Sequence, residues 1–263
     1  MSTIMMPSLA RRILPRVLWA LLRVGMAFLV YLAVQVLVIA VTQNAVWAAA
    51  VGAVSTVPMF LLTGFIGGAG GTGLTSDASS WRIPSVRRVA LWCIALLPIW
   101  VAGQALSLWL FANWPGAAAG YQRHVEQLAA TPQVLTLVLT LILAPVAEEL
   151  LMRGILYREL RRTLRVNIPV ATVASSAVFA LLHGNGVQIG ATMLLGILLA
   201  LAYEFTGSII VPIALHAGFN LLSTFVPPSV IEPLTPTPVV ALLVIGATML
   251  CAAIYLFKRF IRF

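Results

Sequence analysis

The chain has 263 residues, of which 61% are hydrophobic and only 9% charged. A soluble domain carries about 25% charged and about 45–50% apolar residues, so the composition excludes a soluble globular protein and implies an integral membrane protein with apolar runs throughout. The net charge of +9 arises from fifteen Arg and one Lys against seven acids, and these charges gather at the ends of apolar runs, which speaks for membrane topology and against a nucleic-acid partner.

Spans need roughly 20 apolar residues. The first is expected from about Val17 to Val41, with Arg23 near its basic end able to snorkel. The preceding stretch to Arg16 is basic like a signal-peptide n-region, but no small-residue cleavage site follows the apolar run, so it is read as the start of a first helix. A second span follows from about Ala45 to Ile66, then a glycine-rich loop to about Val86 that holds Asp77, then a third span from about Val89 to Phe111. Asn113 to Thr131 is polar enough for a short interfacial helix. A fourth span starts near Pro132 and ends in the basic run Arg158, Arg161, Arg162 and Arg165. The fifth to eighth are placed at about Ile168–His183, Val187–Phe205, Ser208–Val226 and Val239–Phe257. With the N-terminus inside and sides alternating, the inside loops collect thirteen positive residues and the outside loops Arg123 alone. The expected fold is therefore all-α: a polytopic bundle of about eight transmembrane helices with both termini cytoplasmic. It is one membrane domain in three parts: 1–131, a core at 132–226, and 227–263. No internal repeat of the transporter kind is visible. Cys93 and Cys251 lie alone in apolar segments and are read as packing residues.

The fourth span carries the anomaly. Glu148 and Glu149 stand side by side with Arg153 inside an apolar run, and ionisable groups at that depth are costly unless they have a task. Adjacent helical residues point about 100° apart, so the two acids have different neighbours. Glu149 and Arg153 are spaced i and i+4 with the acid first, the favourable order for an ion pair, which leaves Glu148 the freer carboxylate. Pro145 lies three residues before it and can open the helix backbone.

Two histidines complete the set. His183 ends the fifth span, and His216 with Asn220 at i+4 shares one face of the seventh. Counting from a turn near Val166, Glu148 lies eighteen residues before and His183 seventeen after, which puts them at nearly one height. His216 reaches that height if the basic end of the fourth helix projects beyond the bilayer and the segment after Gly184 dips into it. A carboxylate, two imidazoles and an amide around one wet pocket suit activation of water, with Glu148 as general base. His183, His216 and Asn220 could hold a metal or polarise an oxygen directly. Two His and a carboxylate make an accepted zinc set (His183, His216, Glu148), so Zn2+ or another divalent metal is a candidate cofactor; Asn220 fits an oxyanion donor better. The other hydrolase designs are excluded: there is no H-E-x-x-H, no G-x-S-x-G and a single aspartate, Asp77.

Glu148-Glu149-x-x-x-Arg153, Phe179-x-x-x-His183 and His216-x-x-x-Asn220 resemble, in order, the three motifs of the CPBP family, the CAAX prenyl endopeptidases and bacteriocin-processing proteins also called Abi. Met152 to Leu156, Tyr203 to Ser208 and Val211 to Ala217 resemble the family's flanking sequence, so the likeness covers roughly Pro132 to Phe225. It implies an intramembrane endopeptidase, either metal-dependent or glutamate-driven. Glu148 would be the catalytic glutamate, and His183, His216 and Asn220 would surround the attacking water or metal. The implied substrate is a membrane-embedded or lipid-anchored peptide or protein in a prokaryotic inner membrane. Two rival readings stay open: an ion- or proton-coupled transporter that uses the same groups as a relay, and a non-catalytic scaffold or bacteriocin immunity protein.

Overall fold

The computed structural model describes residues 8–67, 81–226 and 228–230. Within them there are eight helices and no strand: α1 Ser8–Thr42, α2 Ala45–Gly67, α3 Val86–Asn113, α4 Pro115–Ala129, α5 Gln133–Thr163, α6 Ile168–Leu182, α7 Gly186–Thr206 and α8 Ile210–Phe225. Every apolar segment read from the sequence up to Phe225 is helical, and the segment expected at the interface forms α4. The expected last span, Val239–Phe257, and the loop holding Asp77 lie outside the described residues.

Among the described residues four helices are long and apolar enough to cross a bilayer: α1 over Leu14–Thr42, α3, α5 and α7. They make the chain a polytopic helical membrane bundle. α6 and α8 have only 15 and 16 residues, about 22–24 Å at 1.5 Å per residue, which is short of a full crossing.

Local chemistry sets the boundaries. Asn44 accepts from the backbone N–H of Val46 at 2.8 Å, Asn167 from Val170 at 3.0 Å and Asn185 from Gln188 at 2.9 Å, which caps the starts of α2, α6 and α7. Pro115 opens α4 in the first turn, where its missing N–H costs nothing. α7 stops at Gly207, whose φ of +67° only glycine adopts freely, with its N–H on the Tyr203 carbonyl at 2.9 Å.

α7 is the central post. It packs on α3, α4, α6 and α8 and touches α5, and Leu195, Leu198, Leu199, Ala200 and Ala202 are fully buried along it. Close approach comes from small residues, as in other membrane bundles. A Cβ on Gly103 of α3 would lie 3.2 Å from Ala191 Cβ, and one on Gly186 2.8 Å from Ala117 Cβ of α4. α1, by contrast, pairs with α2 and turns Leu18, Leu22, Leu29 and Val36 outward, as a lipid-facing helix does.

Two expectations need correction. Arg23 does not snorkel: its Nη2 meets Glu159 Oε2 of α5 at 2.8 Å, with both side chains mostly buried. The reason is distance in sequence, since the partner lies 136 residues away and no local pattern reveals it. Cys93 is not a packing residue, because it is exposed on the outer side of α3; Trp92, beside it, is the inward-facing one.

Candidate functional site

α5 is where the chain departs from regular helix. Three stretches, Leu139–Leu143, Leu150–Tyr157 and Glu159–Thr163, have wide i→i−5 turns, with the α-helical turn Ala144–Glu149 after the first of them. Such turns collect at functional sites. At the first, the Ala144 N–H bonds to the Leu139 carbonyl. The next donor in that register would be residue 145, which is proline and has no N–H. The Thr140 carbonyl is thereby left open, and Asn220 Nδ2 of α8 donates to it at 2.9 Å. Pro145 thus creates an acceptor that ties α8 to α5.

One turn further on, Glu149 and Arg153 are fully buried and form the expected pair, Nη1 to Oε1 at 2.7 Å. Arg153 Nη2 also donates to the Gly196 carbonyl of α7 at 2.7 Å, and its guanidinium carbon stands 5.1 Å from the Phe179 ring centre, a cation–π distance. Gly196 also lets α7 approach α6 closely. A Cβ there would lie 2.9 Å from Ser176 Cβ and 3.1 Å from Ser176 Cα, so α6 would have to move. We expect Gly196→Ala to cost about 1–3 kcal/mol by overpacking, read as a lowered unfolding midpoint of the purified chain; an unchanged midpoint would show that α6 and α7 can separate freely.

Glu149 has a second partner that the spacing of motifs did not reveal. Its Oε1 also meets His216 Nδ1 at 3.1 Å. A carboxylate only accepts, so Nδ1 carries the hydrogen. The other nitrogen, Nε2, then faces Glu148 Oε2 at 3.8 Å. The two adjacent acids therefore meet the two nitrogens of one imidazole. Glu148 Oε2 is itself buried and has no hydrogen-bond partner among the described residues.

His183 stands nearby through a shared neighbour. Its ring is edge-on to Phe179 with centres 5.0 Å apart, and the His216 ring is edge-on to the same phenyl at 5.5 Å. His183 Nδ1 donates to the Phe179 carbonyl at 3.0 Å, which fills one of the open acceptors at the end of α6 and leaves Nε2 as the outward nitrogen. The turn to α7 is short, since the helix resumes at Gly186, so no irregular segment extends to Gly190. Of the residues singled out in the sequence, Glu148, Glu149, Arg153 and His216 are joined directly, His183 adjoins them through Phe179, and Asn220 is bound to Thr140, which occupies one of its two N–H donors.

Two further residues surround the cluster without a motif to announce them. Tyr31 of α1 lies within electrostatic reach of Glu148. His124 of α4 lies within reach of His183; burial first, and then that neighbour, hold its imidazole below the ordinary pKa. The signal that could have found them is their rarity, since His124 is one of three histidines.

His183, with Nδ1 anchored on a carbonyl, has the arrangement usual for a metal-binding imidazole. His216 has a carboxylate at each nitrogen, and among the described residues no three of His, Cys, Asp and Glu gather closely enough to hold an ion. The side chains as they stand form an acid–imidazole cluster and no preformed metal cage.

A buried Glu–His cluster on a helix fit to cross the membrane now has a counterpart. Residues 130–222 match the model of the family described as Type II CAAX prenyl endopeptidase Rce1-like. The match covers α5 to α7, α8 as far as Leu222, and every member of the cluster apart from Tyr31 and His124; α1 to α4 lie before it. The chain matches no curated protein and no solved structure.

Proposed function

We propose that the chain is an intramembrane endopeptidase that hydrolyses peptide bonds of membrane-embedded or lipid-anchored substrates with a glutamate-activated water. The observation that carries this reading is the single imidazole of His216 held between Glu149 and Glu148, inside the block that matches the endopeptidase family. Glu149, neutralised by Arg153, fixes the His216 tautomer and ring. Glu148 Oε2 and His216 Nε2 are close enough for one water to touch both. Glu148 takes a proton from that water while the oxygen attacks the scissile carbonyl carbon. The tetrahedral intermediate then collapses, the C–N bond breaks, and Glu148 returns the proton to the leaving amine. His183 Nε2, the outward nitrogen, is suited to donate to the developing oxyanion.

The reaction has a direct test. Purified chain in lipid nanodiscs, given a prenylated C-terminal peptide in 18O water, is expected to release a fragment whose new carboxyl carries one 18O. Absence of any cleavage that depends on the chain, over a panel of lipidated and transmembrane peptides, would favour the relay or scaffold readings.

A divalent metal is a second reading, supported by the free Nε2 of His183 and by the donor types present, and it is assigned no step. Metal analysis separates the two. The glutamate-only reading expects far less than one bound ion per purified chain, in wild type and in His183→Ala alike; about one ion per chain in the wild type, lost in the variant, would establish the metal. The finer topology, eight spans with cytoplasmic termini in a prokaryotic inner membrane, belongs to the same proposal and rests on the distribution of arginines.

A further inference from the structure

α1 lies before the block that matches the endopeptidase family, yet one of its faces is turned to α5. Ala20 and Ala27 are fully buried, Arg23 is mostly buried against Glu159, and Tyr31 packs against the central apolar core. Steps of three, four and four residues put these four side chains on one stripe of the helix. The Arg23–Glu159 pair sets the register of that stripe on α5. From the pair, Tyr31 is eight residues further along α1 and Glu148 eleven residues back along α5, so both stand about 12–16 Å above it at ordinary helical rise. Tyr31 therefore reaches the height of Glu148, in agreement with the electrostatic contact between the two.

Tyr31 is also braced. Gln35, one turn further on, meets the Tyr31 hydroxyl with its side-chain amide. Gln35 is itself set in a notch of α2, where a Cβ on Gly52 would lie 2.8 Å from its Cγ and 3.1 Å from its Nε2. An amide N–H given to the phenolic oxygen leaves the phenolic hydrogen free to donate. Glu148 has use for such a donor. The terminal torsion of a glutamate is broad, Oε2 has no hydrogen-bond partner among the described residues, and the facing nitrogen of His216 is 3.8 Å away, beyond hydrogen-bond distance. A general base, however, must keep one oxygen aimed at the proton it takes.

We propose that Tyr31 is a positioning residue for Glu148: its hydroxyl, braced by Gln35, donates to the Glu148 carboxylate directly or through one water and so holds Oε2 toward the attacking water. This role rests on the hydrolytic reading of the cluster, and it makes α1 a part of the active site.

Peptide cleavage by the purified full chain in lipid nanodiscs tests it. The turnover number, KM and unfolding midpoint are measured for wild type, Tyr31→Phe, Glu148→Gln and the double variant, on the lipidated or transmembrane peptide that the wild type cleaves fastest. Tyr31→Phe keeps the ring and removes only the hydroxyl. It should lower kcat about tenfold, the scale of one hydrogen bond to a charged group, with KM within about twofold of wild type and the midpoint unchanged. In the Glu148→Gln background the same change should lower the remaining rate by less than about twofold, because the group it acts through no longer takes a proton. Leu29→Ala, on the lipid face of the same helix, should alter neither constant. Wild-type kcat in Tyr31→Phe overturns the role, as does an equal tenfold loss in both backgrounds. A loss confined to KM, or one that follows a lowered midpoint, overturns it in favour of a packing role. A folded wild type that cleaves no peptide overturns the hydrolytic reading and this role with it, so the two failures are told apart.

Discussion

Glu148→Gln is expected to lower peptide cleavage by about 10²–10⁴-fold, the usual contribution of a positioned general base, with little change in stability. The substitution keeps shape and removes only the ability to take a proton. Its effect on folding should be small because Glu148 Oε2 has no hydrogen-bond partner among the described residues, the side chain is partly exposed, and its contact with His216 is a long one of 3.8 Å. The comparison needs two measurements on the same preparation, initial cleavage rate and unfolding midpoint. A variant that retains more than about a tenth of wild-type activity while staying folded would remove Glu148 from the base role.

The opposite signature is expected at Glu149. Glu149→Ala leaves Arg153 as a fully buried guanidinium without its carboxylate, and breaking a buried pair in this way costs about 3–5 kcal/mol. Arg153→Ala strands Glu149 in turn. The double variant Glu149→Ala/Arg153→Ala should cost less than the two singles together, because it leaves no unpaired charge behind. Glu149→Gln separates charge from geometry: its carbonyl oxygen can still accept from Arg153 and His216, so ring orientation survives while the charge is lost. Equilibrium unfolding of the four variants in one detergent measures these differences. A loss below about 1 kcal/mol for Glu149→Ala would mean that the pair is solvated, and Glu149 could then not be the group that orients His216.

Much of this arrangement was legible in the residues. The 20-residue apolar runs gave the helices, because the bilayer imposes one length on many sequences. The i, i+4 spacing gave the Glu149–Arg153 pair, because a single helical turn is local. What escaped was long-range or depended on backbone register. The Glu149–His216 bond joins α5 to α8, and Arg23–Glu159 joins α1 to α5; neither has a local pattern. Asn220 shares a helix face with His216, as its spacing requires, yet its amide binds Thr140. In a regular helix Pro145 would open the carbonyl four residues back, that of Leu141. Only the wide turn shifts the open acceptor to Thr140, and no sequence rule announces a wide turn.

α6, which ends just before His183, and α8, which carries His216, are too short for an ordinary bilayer. At about 22–24 Å, α6 and α8 fall some 6–8 Å below a hydrocarbon core of about 30 Å. Such a mismatch is relieved by thinning the lipid or by shielding the helix ends with protein. Here protein takes part in the shielding at the His183 end, where Trp114, just before α4, and Ala117 of α4 lie against Gly186. The His183 end of the proposed site is therefore covered in part by polypeptide and not by acyl chains alone. Hydrolysis in an oily medium is limited by how water arrives, and a polypeptide roof, unlike acyl chains, can offer it polar footholds on the way in.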